Sequence, residues 1–89
     1  MSDRDLWETH AQWWQDGFTD GADPEYDEQI IPLAAEHLAG ATRVLDIGCG
    51  EGQIARVAQR VGAEFVLGVD PTAAQVLEAR RRAGGPHYA

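Results

Sequence analysis

The sequence predicts an α/β fold: N-terminal helices, then the first βαβα unit of a parallel sheet, incomplete as it stands. Two observations predict it. Residues 43–47 and 64–70 are short apolar runs with a β-branched bias, each closed by glycine or aspartate. Each run is followed by a stretch whose apolar residues recur at helical spacing. Strand, helix, strand, helix in this order is a parallel unit with a right-handed crossover.

Along the chain, Ser2 or Asp3 can cap a first helix running to about Gln15, with Leu6, His10 and Trp13 or Trp14 near one face. Residues 16–22, rich in glycine and aspartate, read as a loop. Asp23 as N-cap and Pro24 at the first helical position open a second helix. Tyr26, Ile30, Ala34, His37 and Leu38 carry its period up to Gly40, and Pro32 inside that pattern should kink the helix or split it. The first strand, 43–47, ends at glycines. The helix after it shows Ile54, Ala55, Ala58 and Val61 on one face, with Gly62 as terminator. Residues 64–70 have the continuous apolarity of a strand buried on both faces. A last helix starts at Asp70-Pro71-Thr72, carries Ala73, Val76, Leu77 and Arg80 in period, and ends at Gly84-Gly85. Pro86, His87, Tyr88 and Ala89 read as the approach to a third strand. Two parallel strands do not make a stable doubly wound sheet, so the chain is expected to be a fragment or a truncated product.

Composition narrows the function. Eighty-nine residues suffice for one small domain with a modest core. The net charge is −8, and the seven basic residues are all arginine. That balance argues against nucleic acid as a general partner, because backbone binding needs clustered positive charge. The one basic cluster, Arg80 to Arg82, lies beside Glu78 in a last helical turn, where it suits the helix dipole. A single cysteine, Cys49, excludes an intramolecular disulfide and fits a reducing compartment. The start of the chain is too polar for a signal peptide, and no apolar run approaches a membrane span. A cytoplasmic location is the expectation.

The chemistry lies in Asp46-Ile47-Gly48-Cys49-Gly50-Glu51-Gly52, where the first strand turns into its helix. Glycines permit positive φ and remove the β-carbon that would block a ligand from the backbone. The helix start offers N–H groups and partial positive charge, suited to an anionic group. Asp70 follows at the end of the second strand, placed to accept hydrogen bonds from a ribose diol. Both features lie at the carboxyl edge of the sheet, where open α/β folds bind ligands. A dinucleotide fingerprint would need glycine or alanine three residues after Gly50; that position is Gln53. The glycines alternate instead, at 48, 50 and 52.

Val44-Leu45-Asp46-Ile47-Gly48-Cys49-Gly50-Glu51-Gly52-Gln53 resembles the first signature of class I S-adenosylmethionine-dependent methyltransferases, and Gly68-Val69-Asp70-Pro71 resembles their second. The nearest subgroup by appearance is methyltransferase type 11, the ubiquinone/menaquinone-biosynthesis-like set, and the likeness covers about positions 40 to 83. It implies a Rossmann-like methyltransferase fold, S-adenosyl-L-methionine as cofactor and methyl transfer to a small-molecule acceptor. By matching position it implies a cofactor site of Asp46, Gly48, Cys49, Gly50, Gly52, Asp70 and Pro71. Gly48 and Gly50 would line the methionine and ribose portions, Asp46 would sit near the ammonium, Asp70 would hold the ribose hydroxyls, and Pro71 would lie against adenine. Glu51, where relatives often have threonine or serine, would compete with the cofactor's carboxylate if it turned inward. In-line displacement at a sulfonium needs alignment more than a base, so no catalytic residue is assigned.

Each residue also has a plainer reading. The glycines can mark only a turn, Asp70 can be only an N-cap, and Cys49 can be a small buried residue without chemistry. Trp7, Trp13, Trp14, Phe18 and Tyr26 can pack on the sheet, or, as the resemblance implies, Tyr26 or Trp14 can cover the cofactor. His10, His37 and His87 form no metal-binding spacing. The expected organisation is 1–39 as a helical cap and 40–89 as the first half of the cofactor-binding domain. Two other functions stay open: a fragment of an NAD(P)-binding oxidoreductase, and a degenerate methyltransferase fold without catalysis.

Overall fold

The computed structural model describes residues 5–6, 8–12 and 26–89. Residues 5–6 and 8–12 are helical. The stretch Tyr26–Ile30 is a π-helix that runs into helix α1, Ile31–Leu38. Pro32 stands at the start of α1, so the expected break takes the form of a change of helix type where a backbone donor is missing. There follow β1 (Arg43–Ile47), α2 (Gln53–Arg60), β2 (Phe65–Val69), α3 (Ala73–Arg82) and β3 (His87–Tyr88). The loop at 16–22, the Asp23-Pro24 helix start and Trp7, Trp13, Trp14 and Phe18 lie outside the described residues, as does the Tyr26 side chain.

The three strands form a parallel sheet in the order β1-β2-β3. Asp46 is paired with Gly68, and Gly68 with Tyr88. Alternation along a strand therefore puts these three residues in one row on one face. That face carries the core: Ala55 and Ala58 of α2, Val76 and Ala79 of α3, Val66, Cys49, Ala63 and Tyr88, with Val44 and Leu38 against them. Both crossover helices thus cover the same face, as right-handed connections between successive neighbouring strands require.

Two sequence expectations are corrected by this arrangement. β2 is buried on one face only, with Val66 fully enclosed and Phe65 38% exposed, because no described helix covers the side of Phe65 and Leu67. On α3 the inward stripe is Thr72, Gln75, Val76 and Ala79, not the face of Leu77 and Arg80; Leu77 is 64% exposed. Those four follow helical spacing from the N-cap, and Gln75 escapes a reading that counts apolar residues alone. On α2, Ala55 and Ala58 are buried as expected; Val57 is buried as well, and α1 packs against this helix. The third strand forms at His87–Tyr88, and its ladder continues through Ala89 N–H to Gly68 O at 2.9 Å.

Candidate functional site

The strand β1 delivers the chain to a turn that folds back on the end of β2. Gly48 and Cys49 donate their N–H groups to Val69 O at 2.8 and 3.0 Å, and Gly52 N–H closes the turn on Cys49 O at 3.0 Å. Gly48, Gly50 and Gly52 have φ of +75°, +56° and +95°, a conformation that strains any residue with a β-carbon. The three glycines serve different neighbours. A β-carbon at Gly48 would meet nothing within 4 Å, so its Cα borders open space. One at Gly52 would strike the Tyr88 ring, with Cζ at 2.7 Å.

Tyr88 braces this turn from below. Its ring is buried in the row with Gly68, where a β-carbon would stand 2.8 Å from Tyr88 Cδ1 and 2.9 Å from Cys49 Sγ. Burial, foremost, raises the Tyr88 hydroxyl above its ordinary pKa, opposed by the charge of Arg56. Tyr88 has no part in the site that the sequence predicts. The signal was Gly68, a lone glycine inside an apolar strand, which marks a close approach by another group.

Asp70 joins the two halves of the site. Its Oδ2 accepts from Gly50 N–H at 2.9 Å and its Oδ1 from Thr72 N–H at 2.8 Å. Asp70 is not the N-cap, a position that falls to Thr72; it makes an Asx turn onto the Thr72 N–H just ahead of the helix, and the same carboxylate also reaches the glycine turn. Each oxygen keeps a further lone pair for a donor. Pro71, next in the chain, is exposed.

Asp46 is half-buried at the end of β1, and among the described residues its Oδ2 atom is enclosed with no hydrogen-bond partner. Desolvation raises its pKa above the ordinary aspartate value; the Asp70 charge adds to that, and a hydrogen bond from the Ala55 backbone N–H opposes it. Ala55 lies in the first turn of α2, so that helix start is already met by a carboxylate of the chain itself. Cys49 is packed under the turn, with its thiol pushed up to about 11 by burial and by the charges of Asp46, Asp70 and Glu51. A thiol so placed stays protonated near neutrality and is a packing group.

Glu51 does not turn into the site. It is buried, with Oε2 at 2.7 Å from Arg56 Nη2 and 3.3 Å from Arg82 Nη1. Gln75, also buried, brings its amide 3.7 Å from where a β-carbon on Gly50 would be. His10 and His37 are exposed, and His87 stacks on Phe65 with ring centroids 5.1 Å apart. Among the described residues no group of three or more His, Cys, Asp and Glu could hold a metal ion. No helix among them is long and apolar enough to cross a membrane.

The arrangement therefore presents two carboxylates beside open backbone. Its turn N–H groups at Gly48, Cys49, Gly50 and Gly52 are spent within the chain. Such a pocket suits a ligand that brings positive charge and hydroxyl donors.

A family model described as "Methyltransferase domain" matches residues 44–88, half of the chain. The Ubiquinone biosynthesis O-methyltransferase of Bradyrhizobium diazoefficiens is 44% identical over 50 residues, 56% of this chain and 19% of that protein. The Ribosomal protein L11 methyltransferase of Thermotoga neapolitana is 40% identical over 53 residues, 60% of this chain and 20% of that protein. Among solved structures, an S-adenosylmethionine dependent methyltransferase from Mesorhizobium loti superposes with a TM-score of 0.58 at 31% identity, over 71% of this chain and 32% of that one. The chain thus spans about a fifth of the length of the curated relatives it matches.

Proposed function

The chain belongs to the methyltransferase domain family, and from that premise we propose that it forms the S-adenosyl-L-methionine-binding part of a methyltransferase. The observation that carries the reading is Asp46 Oδ2, an enclosed carboxylate oxygen with no partner among the described residues. An ionised carboxylate left in that state is costly, and a cation beside it removes the cost.

The residues fit this cofactor in chemical type. Asp46 would hold the ammonium, with Gly48 leaving room for the methionine portion. Asp70 would accept the ribose hydroxyls on its remaining lone pairs while keeping its bonds to Gly50 and Thr72. Pro71 would lie against adenine. Cys49 and Gly52 would serve the site from beneath, by holding the turn. When bound, the cofactor supplies an electrophilic methyl on a sulfonium; the chain's part is to bind, orient and exclude water, which requires no general base.

A nicotinamide dinucleotide is a poorer match. Its pyrophosphate needs free backbone N–H groups at a helix start, whereas four in this turn are already bonded and two carboxylates stand beside them. For the acceptor we propose a small molecule. The support is the likeness to a ubiquinone-biosynthesis enzyme, and the ribosomal-protein methyltransferase relative names the competing class. A cytoplasmic site of action fits the lone thiol of Cys49, protonated and buried.

Isothermal titration with S-adenosylhomocysteine, beside NAD and with Asp70→Ala, tests the reading. Binding of S-adenosylhomocysteine, weakened at least tenfold by Asp70→Ala and absent with NAD, is the expected result. Binding of NAD in its place would sink it.

A further inference from the structure

Helix α3 has no cap of its own. Thr72 stands at its N-cap position and makes no side-chain capping bond. The start of a helix leaves four N–H groups without intrahelical partners. Here Thr72 N–H goes to Asp70, and those of Ala73 and Ala74 go to the Glu8 carboxylate, the second at 3.1 Å. The cap therefore comes from a residue 65 positions earlier in the chain, and its charge suits the positive end of the helix.

One turn of chain, residues 70–74, is in this way held from two sides. Asp70 ties it to Gly50 of the glycine turn, and Glu8 ties it to the N-terminal helical stretch. A groove of about 390 Å³ lies between the stretch and α3, and Leu77 in its wall is 64% exposed. Glu8 is thus a polar link between the stretch and the first turn of α3.

We propose that Glu8 is a positioning residue for the cofactor site: it clasps the N-terminal helical stretch to the first turn of α3, and cofactor binding at Asp70 and closure of the clasp reinforce each other. The physical reason is shared order. A ligand on Asp70 must find residues 70–74 fixed, and the clasp has already fixed them; by linkage the ligand then strengthens the clasp by the same factor. The coupling rests on the cofactor reading above, and the clasp itself does not.

The test combines hydrogen exchange at the Ala73 and Ala74 amides with titration of S-adenosylhomocysteine, on the full chain and on Glu8→Ala and Glu8→Gln. In Glu8→Ala both amides should exchange about fivefold faster, the loss expected of a cap. The affinity for S-adenosylhomocysteine should fall about threefold to tenfold, within the usual range of coupling between sites. The ligand should protect these amides more in the wild type than in Glu8→Ala. Glu8→Gln keeps one acceptor oxygen and should fall between. Unchanged exchange of the two amides in Glu8→Ala overturns the clasp. Faster exchange with affinity within about twofold of wild type overturns the coupling. If the wild type binds no S-adenosylhomocysteine, the cofactor reading fails, and the exchange rates alone then decide the clasp.

Discussion

At Asp46 the proposed function and stability oppose each other. Its carboxyl titrates above the ordinary aspartate value, chiefly through burial and then through Asp70. An acid with a raised folded-state pKa binds its proton more tightly when folded, so its contribution to stability falls as pH rises from about 4 through the raised value. At neutral pH the ionised group is a penalty. Asp46→Asn is therefore expected to raise the melting temperature of the ligand-free chain at pH 7 while weakening S-adenosylhomocysteine about tenfold or more, the loss of one charged hydrogen-bond partner. Scanning calorimetry and titration read the two effects. A lower melting temperature together with unchanged affinity would refute this account. At Gly68 the conflict is steric: Gly68→Ala places a methyl against the Tyr88 ring and Cys49, and should cost about 1–3 kcal/mol in urea unfolding, as overpacking does. The residues of the candidate site were legible in the sequence because a glycine turn with an acidic residue at the end of the next strand is a pattern of types at fixed offsets. Tyr88 was not, since its partners Gly52 and Gly68 meet it only once the strands are in register.

Among elements, the link between the glycine turn and the end of α3 is ionic. Glu51 bonds Arg56 and Arg82, Arg82 bonds Glu78 at 2.7 Å, and Arg81 pairs with Glu78 as well. Glu51→Ala leaves Arg56 and Arg82 without that partner on the covered side, and breaking a buried pair of this kind costs about 3 kcal/mol. Denaturant unfolding of the variant measures it. Hydrogen bonds from Arg81 and Arg82 hold the Glu78 carboxyl at about 2 against an ordinary 4.5. A depressed acid stabilises the fold above its unfolded pKa and loses that contribution as pH falls through its folded one. The last turn of α3 should accordingly loosen between pH 4.5 and about 2, and in Glu78→Gln circular dichroism should lose that part of the acid transition. The arginine cluster reads in the sequence as a helix-dipole partner; that it also locks the loop through Arg82 depends on the tertiary contact of Arg82 with Glu51.

For the molecule as a whole, the sheet face that no described helix covers has the largest consequence. Leu45 and Ile47 are 59% and 78% exposed, and they share that side of the sheet with Phe65. Arg43 and His87 shield Phe65 in part, by a cation–π contact at 5.3 Å and by stacking. β1 has no strand on its outer side among the described residues. An apolar face beside an open strand edge drives association. Size-exclusion chromatography of the chain should show species larger than the monomer, and Leu45→Lys with Ile47→Lys should shift them towards it. A monomer at high concentration without these changes would contradict the expectation.

The sequence by itself determined the order of strands and helices, the turn between β1 and α2, and the pairing of that turn with Asp70. These follow from local periods and from residue types at set spacings, which need no knowledge of what lies across the sheet. Only the tertiary structure decided which face each strand buries, which stripe of α3 points inward, that Tyr88 props the turn, and that Glu8 caps a helix 65 residues on. Each of these depends on register and on contacts between segments distant in sequence, and a local pattern of polarity carries no record of them.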